Sequence, residues 1–231
     1  MQSMTLLFVP ILLGSIAAGR SAQAAFYSAA ADFSPTNNSN GVWSFGQFNS
    51  LGAPFILHGA NGTSSYGFDY WSASPGFSLP GVLHNATASS IHYGTAIYNP
   101  GQLVLHPGAS NEYSVVRFTA PVTGLYSFQA SFIGADFVGP TTSNAVLLHN
   151  GVSLFGANVI GYQTVVSSGM MLMSLTAGDT LDAAVGFGPN GTYYGDSTGL
   201  DFTVESVPSP GADCLLGLAL VCTGSRRRRD A

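Results

Sequence analysis

From His106 to Phe132 the chain reads HPGASNEYSVVRFTAPVTGLYSFQASF, two runs of alternation around one break. Val116, Phe118 and Ala120 alternate with Val115, Arg117 and Thr119, the period of two that a strand with one buried face requires. Ala120-Pro121-Val122-Thr123-Gly124 interrupts the run, because proline has no N–H for a ladder and glycine accepts a positive φ. Tyr126, Phe128, Ala130 and Phe132 then share one face, with Leu125, Ser127, Gln129 and Ser131 on the other. The pattern predicts two strands joined by a five-residue turn, a hairpin that buries one aromatic face.

The chain beyond it carries the same signals. Ala145 to His149 and Val152 to Phe155 flank Asn150-Gly151, the pair that supplies both positive φ angles of a type I′ turn. Gly169 to Thr176 and Thr180 to Phe187 flank Ala177-Gly178-Asp179 and are expected to form a further hairpin. Gly199 to Glu205 closes the set, with Leu200, Phe202 and Val204 inward and Asp201, Thr203 and Glu205 outward. Val42 to Gly46 opens a short strand near the start. No segment sustains a 3.6-residue period long enough for a core helix. Six to ten short strands with turns at this spacing predict a β-sandwich, with Phe118, Tyr126, Phe128, Phe132, Leu181, Phe187 and Phe202 in one core.

Charged residues make up only 7% of the chain, against about 25% in ordinary soluble domains, and there is no lysine. Between Ala25 and Glu205 the only cation is Arg117, set against nine carboxylates, a balance of −8. Such a surface repels phosphate backbones and excludes nucleic acid as a partner. Arg117 either pairs internally with a carboxylate or addresses an anionic ligand; its place inside a strand favours the internal pair. Both cysteines, Cys214 and Cys222, fall in the C-terminal apolar segment, so the main domain has neither a disulfide nor thiol chemistry.

The two ends read as addresses. Met4 to Ala18 is an uncharged apolar run, and Ala22-Gln23-Ala24 is a small-x-small cleavage site, so residues 1–24 read as a signal peptide removed by signal peptidase. At the other end Val207-Pro208-Ser209-Pro210-Gly211 precedes an apolar helix, Ala212 to Gly224, closed by Arg226, Arg227, Arg228 and Arg229. Arginines beside an apolar helix hold that end on the cytoplasmic side of an inner membrane. This tail over 207–231 resembles the Pro-Glu-Pro C-terminal sorting signal (PEP-CTERM) of Gram-negative bacteria, with Ser209 where the motif has glutamate. The resemblance implies transient inner-membrane insertion, recognition by an exosortase-type sorting enzyme, and delivery to a cell surface or extracellular matrix rich in exopolysaccharide.

The domain between them, 25–206, also carries a resemblance. Asp32-Phe33-Ser34 with Asn40 to Gly46, and His106-Pro107-Gly108 followed by Arg117-Phe118-Thr119-Ala120-Pro121, are similar to secreted bacterial domains often found ahead of such tails. The resemblance covers most of Phe26 to Glu205 and implies a β jelly roll of the carbohydrate-binding-module or complement-globular-head type, without assigning an activity.

Chemistry is sparser than address. Gly195-Asp196-Ser197-Thr198-Gly199 resembles serine-hydrolase motifs, but no histidine follows Ser197 and the segment reads as a loop entering the last strand. His58, His84, His92, His106 and His149 show no metal-ligand spacing. Asp179 with Asp182 and Asp196 with Asp201 bracket two strand starts; they read either as a structural calcium site, as jelly-roll modules often carry, or as solvated edge charges. Trp43, Trp71, Tyr66, Tyr70, Phe68, Tyr93 and Tyr98 cluster in the first half, where an exposed ring would make a stacking platform for sugars. Most are expected in the core. Trp71 is the ring expected to stay exposed, with Tyr70 and Trp43 as companion candidates.

The pattern thus points to an exported, non-catalytic surface or matrix protein that binds neutral glycans weakly. Two alternatives stand beside it: a structural protein that self-associates through neutral strands, and a glycan-acting hydrolase built on two carboxylates.

Overall fold

In the computed structural model the described residues are 24–208. The proposed signal peptide up to Gln23, and the sorting tail beyond Pro208 (Ser209, Pro210 and Arg226 to Arg229), lie outside them. Ala24–Val207 forms one compact unit. Among the described residues there are seventeen strands and no helix. The first eight are β1 (Phe26–Ser28), β2 (Trp43–Phe48), β3 (Ile56–Leu57), β4 (Ala60–Thr63), β5 (Asp69–Ser72), β6 (Gly81–His84), β7 (Ile91–Tyr93) and β8 (Ala96–Tyr98). There follow β9 (Leu103–His106), β10 (Tyr113–Thr119), β11 (Gly124–Gly134), β12 (Thr142–His149) and β13 (Val152–Ile160). The last four are β14 (Val165–Ser167), β15 (Met171–Leu175), β16 (Thr180–Gly186) and β17 (Thr198–Val207). The count exceeds the expected six to ten because loops in the first half fold into strands of two to four residues.

Two sheets face each other. The larger runs β14-β11-β17-β9-β6-β5-β4, with β1 added to β17 and β15 to β11; the smaller runs β13-β12-β16-β10-β2-β3. Between them lies the main core, where Trp43, Phe45 and Phe118 meet Trp71, Tyr126, Phe128, Phe132 and Phe202. Six of the seven residues expected in one core are there. Phe187 is not: β16 ends at Gly186, and the half-buried Phe187 ring lies 6.5 Å from Tyr193, outside the sandwich.

The long alternating stretch forms its two strands, but they are not a hairpin. β10 pairs with β2 and β16 in the smaller sheet, while β11 pairs with β17, β14 and β15 in the larger. The break at Ala120-Pro121 carries the chain across the core as an arch, and Phe118 faces Tyr126 across it, ring centroids 6.0 Å apart. The segment between β15 and β16 is a second arch, because β15 pairs β11 and β16 pairs β10 and β12. The arches stack on each other: Ala120 N–H donates to Asp179 O at 2.8 Å, and Gly178 N–H to Ala120 O at 2.9 Å. Each turn thereby satisfies backbone groups that the other leaves open. From β9 onward the chain changes sheet at almost every step, and β12–β13 is a true hairpin with Asn150 and Gly151 at φ 48° and 80°.

A second layer of packing positions the site. On the outer face of the larger sheet, Tyr70, Leu83 and Val104 are covered by the separate β7–β8 hairpin, through Ile91, Ala96 and Tyr98. Strands β5, β6 and β9 therefore carry buried apolar side chains on both faces.

Candidate functional site

β4 and β5 are joined by a tight turn in which Ser64 N–H donates to Phe68 O at 2.8 Å and Gly67 N–H to Ser64 O at 3.0 Å. Gly67 has φ 96°, a conformation that side chains other than glycine rarely adopt. The turn lifts Tyr66 into solvent, 56% exposed. Strand alternation then sends Phe68 and Tyr70 to the outer face and Trp71 to the inner one.

The β7–β8 hairpin turns at Gly94 and carries Tyr93 over the same outer face. The Tyr93 ring lies 4.9 Å from Tyr66 and 5.1 Å from Phe68, edge to face in both cases. Phe77 closes the other side, 5.3 Å from Phe68 and 5.4 Å from Tyr70. Edge-to-face pairs are favoured by the ring quadrupoles and hold one another in place. They enclose a cleft of about 270 Å³ with Phe68 at its base and Thr63, Ser64 and Ser65 at its rim. Gly62 makes room for one wall, since a Cβ there would lie 2.8 Å from the Tyr70 hydroxyl. At the rim Thr63 donates its hydroxyl to Asp69 Oδ1 at 2.6 Å. No carboxylate, imidazole, amine or thiol lines the cleft. Its chemistry is therefore that of π faces and hydroxyls, suited to an uncharged ligand with both apolar and hydroxylated faces.

The expectation that Trp71 is exposed is corrected. Trp71 is 5% exposed and its indole N–H donates to Ser34 O at 2.8 Å. Trp43 is fully buried, with its N–H on Asp32 Oδ2 at 3.0 Å. Once both indole donors are satisfied inside, burial recovers the full apolar area of these rings. Tyr70, by contrast, does line the cleft. Tyr66 and Tyr93 belong to the aromatic cluster legible in the sequence, and the signal that singles out Tyr66 is its place just before Gly67 in a turn. Phe77 is the residue that sequence reasoning missed; it follows Ser74-Pro75-Gly76, a loop signal with no stated direction.

The four aspartates do not form one ligand set. Asp179 accepts from Thr176 N–H at 2.8 Å and Asn150 at 2.9 Å, contacts that hold its carboxyl below the usual range. Asp182 is buried in a bidentate pair with Arg117, at 2.6 and 2.9 Å, which meets the expectation for the lone cation. The Arg117 guanidinium also lies 4.2 Å from the centre of the Phe55 ring. Asp196 is buried, with Thr142 donating to Oδ1 at 3.1 Å and Oδ2 without a partner. Burial, with a contribution from the nearby Asp136, pushes its pKa up to about 7. Asp201 is exposed on the outer face of the larger sheet. Among the described residues no three His, Cys, Asp or Glu side chains gather where a metal ion could sit. Ser197 is 3% exposed, donates its N–H to Asp136 Oδ2 at 2.6 Å, and leads into β17 as a loop.

Fold and site together define a β-sandwich with an aromatic, uncharged cleft on the outer face of its larger sheet. No family model and no curated protein matches the chain. Among solved structures it is similar to a family 35 carbohydrate-binding module from Clostridium thermocellum, at 10% identity over 60% of this chain and 86% of that one, TM-score 0.28. It is similar to a CBM51 from Clostridium perfringens in complex with methyl-galactose, at 12% identity over 57% and 90%, TM-score 0.36. A CBM35 from Cellvibrio japonicus matches at 10% identity over 81% and 95%, TM-score 0.32. Likeness at this level names neither a family nor a ligand for this chain.

Proposed function

We propose that the protein is an exported, non-catalytic surface or matrix protein whose aromatic cleft binds neutral glycans. The observation that carries this reading is the cleft itself: Tyr66, Tyr70, Phe77 and Tyr93 around Phe68, rimmed by hydroxyls and free of charged lining. Sugar rings offer a C–H face for stacking and hydroxyls for the rim. The chain's −8 balance between Ala25 and Glu205 turns away anionic polymers. Each stacking contact is modest against the cost of association, so affinities in roughly the micromolar to millimolar range follow. The sandwich is read as jelly-roll-like, since its chain passes between sheets at successive arches. Address comes from the two ends: signal peptidase removes residues 1–24, and an exosortase-type enzyme acts on the tail during a transient inner-membrane stage. The mature protein then reaches the cell surface or exopolysaccharide matrix of a Gram-negative bacterium.

The test is incubation of purified protein with insoluble neutral and anionic polysaccharides, scoring depletion of protein and release of sugar separately. Depletion by neutral polymers without released sugar, lost in Tyr66→Ala, is the expected result. Depletion that survives Tyr66→Ala and Tyr93→Ala together contradicts the cleft; released sugar contradicts the non-catalytic reading.

One observation favours a second reading. β13 is a nine-residue edge strand without charge or proline, and Val152 and Ile160 at its ends are 68% and 50% exposed. Such an edge lacks the usual guards against pairing with another strand. Structural self-association is its prediction, and a sedimentation profile independent of concentration contradicts it.

A further inference from the structure

A second cavity, of about 330 Å³, lies apart from the aromatic cleft, where β11, β14 and β17 meet the turn before β9. Two of its walls are set by register. Ile133 and Val165 are cross-strand partners and present an apolar surface. Ser131 and Asp201 are partners on the adjoining pair of strands and present polar groups. A third wall is Gln102. Its Oε1 accepts the Asn99 N–H at 2.8 Å, which fixes the amide so that Nε2 is the free end. That end lies over Gly199, where any Cβ would collide with Nε2 and would lie 2.7 Å from the Ile133 side chain. Gly199 is thus the gap through which the amide reaches the cavity.

Two groups here are left without partners among the described residues. Gln102 Nε2 donates to no acceptor, and the Asp201 carboxylate accepts no hydrogen bond. No cation of the domain answers Asp201, since Arg117 is committed to Asp182 in the smaller sheet. Glu205, outward on the same strand, adds to the negative field. A complementary ligand carries a positive charge for Asp201, a hydroxyl oxygen for the amide, and an apolar face for Ile133 and Val165. An anionic sugar is repelled, and a simple alkylamine leaves the amide donor unmet.

We infer that this cavity is a second binding site, for a saccharide residue bearing a free, protonated amine. The ammonium sits on Asp201, a ring hydroxyl accepts from Gln102 Nε2, and the C–H face of the ring lies on Ile133 and Val165. The inference does not rest on the aromatic cleft.

The experiment is calorimetric titration of the full-length protein with a glucosamine trisaccharide, its N-acetylated counterpart, a neutral glucose trisaccharide and ethanolamine. The free-amine sugar is expected to bind about tenfold or more tightly than the N-acetylated one. That advantage should shrink when salt rises from about 50 to about 500 mM. Asp201→Asn, at an exposed position, should abolish the preference, and Gln102→Ala should weaken the free-amine sugar several-fold. Tyr66→Ala should reduce binding of the glucose trisaccharide while the Asp201-dependent preference for the free amine over its acetylated form persists, so the two sites fail separately. Equal affinity for the acetylated and free-amine sugars overturns the inference. So does an unchanged preference in Asp201→Asn, or ethanolamine binding as tightly as the sugar.

Discussion

His58 is 1% exposed, and neither of its ring nitrogens meets a hydrogen-bond partner. Burial lowers its pKa to about 4, the Trp71 backbone beside it offsetting a little of the shift, while the unfolded chain keeps a value near 6.5. Between these values the unfolded chain binds a proton that the folded chain does not. Stability from this residue is therefore complete above pH 6.5 and is lost as pH falls to 4, by about 3 kcal/mol. Asp196 acts in the opposite sense: raised to about 7, it contributes most below about pH 3.8 and loses that contribution as pH rises through 7. The two partly cancel in the wild type, so the comparison must be made against a variant. His58→Leu should gain about 2–3 kcal/mol on wild type between pH 7 and pH 4.5, read from urea midpoints; an equal difference at both pH values contradicts it. The Arg117–Asp182 pair gives a second outcome. Arg117→Ala strands a carboxylate with no exposed side-chain surface and should cost about 3–5 kcal/mol, whereas Arg117→Met with Asp182→Leu should recover most of that. Pairing of Arg117 was legible in the sequence, because one cation among nine carboxylates inside a strand has few alternatives. The orientation of Trp71 was not. A run such as Phe68-Asp69-Tyr70-Trp71 alternates in a strand, but both faces of this strand are buried, and alternation alone does not say which face keeps an opening.

At the scale of elements, the alternation at Tyr113–Thr119 and Gly124–Gly134 was readable almost to the residue, and its pairing was not. A hairpin and an arch bury the same alternate side chains, so local pattern cannot separate them. What decides is distant: β16 and β2 take both edges of β10, and β17 with β14 and β15 take those of β11. Asn150-Gly151 could be read as a hairpin because its two positive φ angles are a local demand. The arch turn has its own lock, the Tyr126 hydroxyl donating to Val122 O at 2.8 Å. Tyr126→Phe should therefore cost about 1 kcal/mol, while Phe128→Ala, which empties the core between the sheets, should cost about 3–5 kcal/mol. Equilibrium urea unfolding measures both, and equal costs contradict the packing described.

At the scale of the molecule, the unit's two ends meet. Ser206 N–H donates to Ala25 O at 2.9 Å, and Ala25 N–H to the Ser206 hydroxyl at 2.8 Å. β1 fills the part of the β17 edge that β9 leaves free. A chain trimmed to residues 25–207 should consequently fold cooperatively with near-UV circular dichroism of a packed core; an unstructured product contradicts that boundary. The central claim, that the aromatic cleft is the glycan-binding surface, is tested most directly by amide chemical-shift mapping of that chain during titration with a neutral oligosaccharide. The account predicts shifts clustered at Thr63 to Phe68, Phe77 and Tyr93, absent in Tyr66→Ala. Shifts centred elsewhere on the sandwich, or none at millimolar sugar, would contradict it.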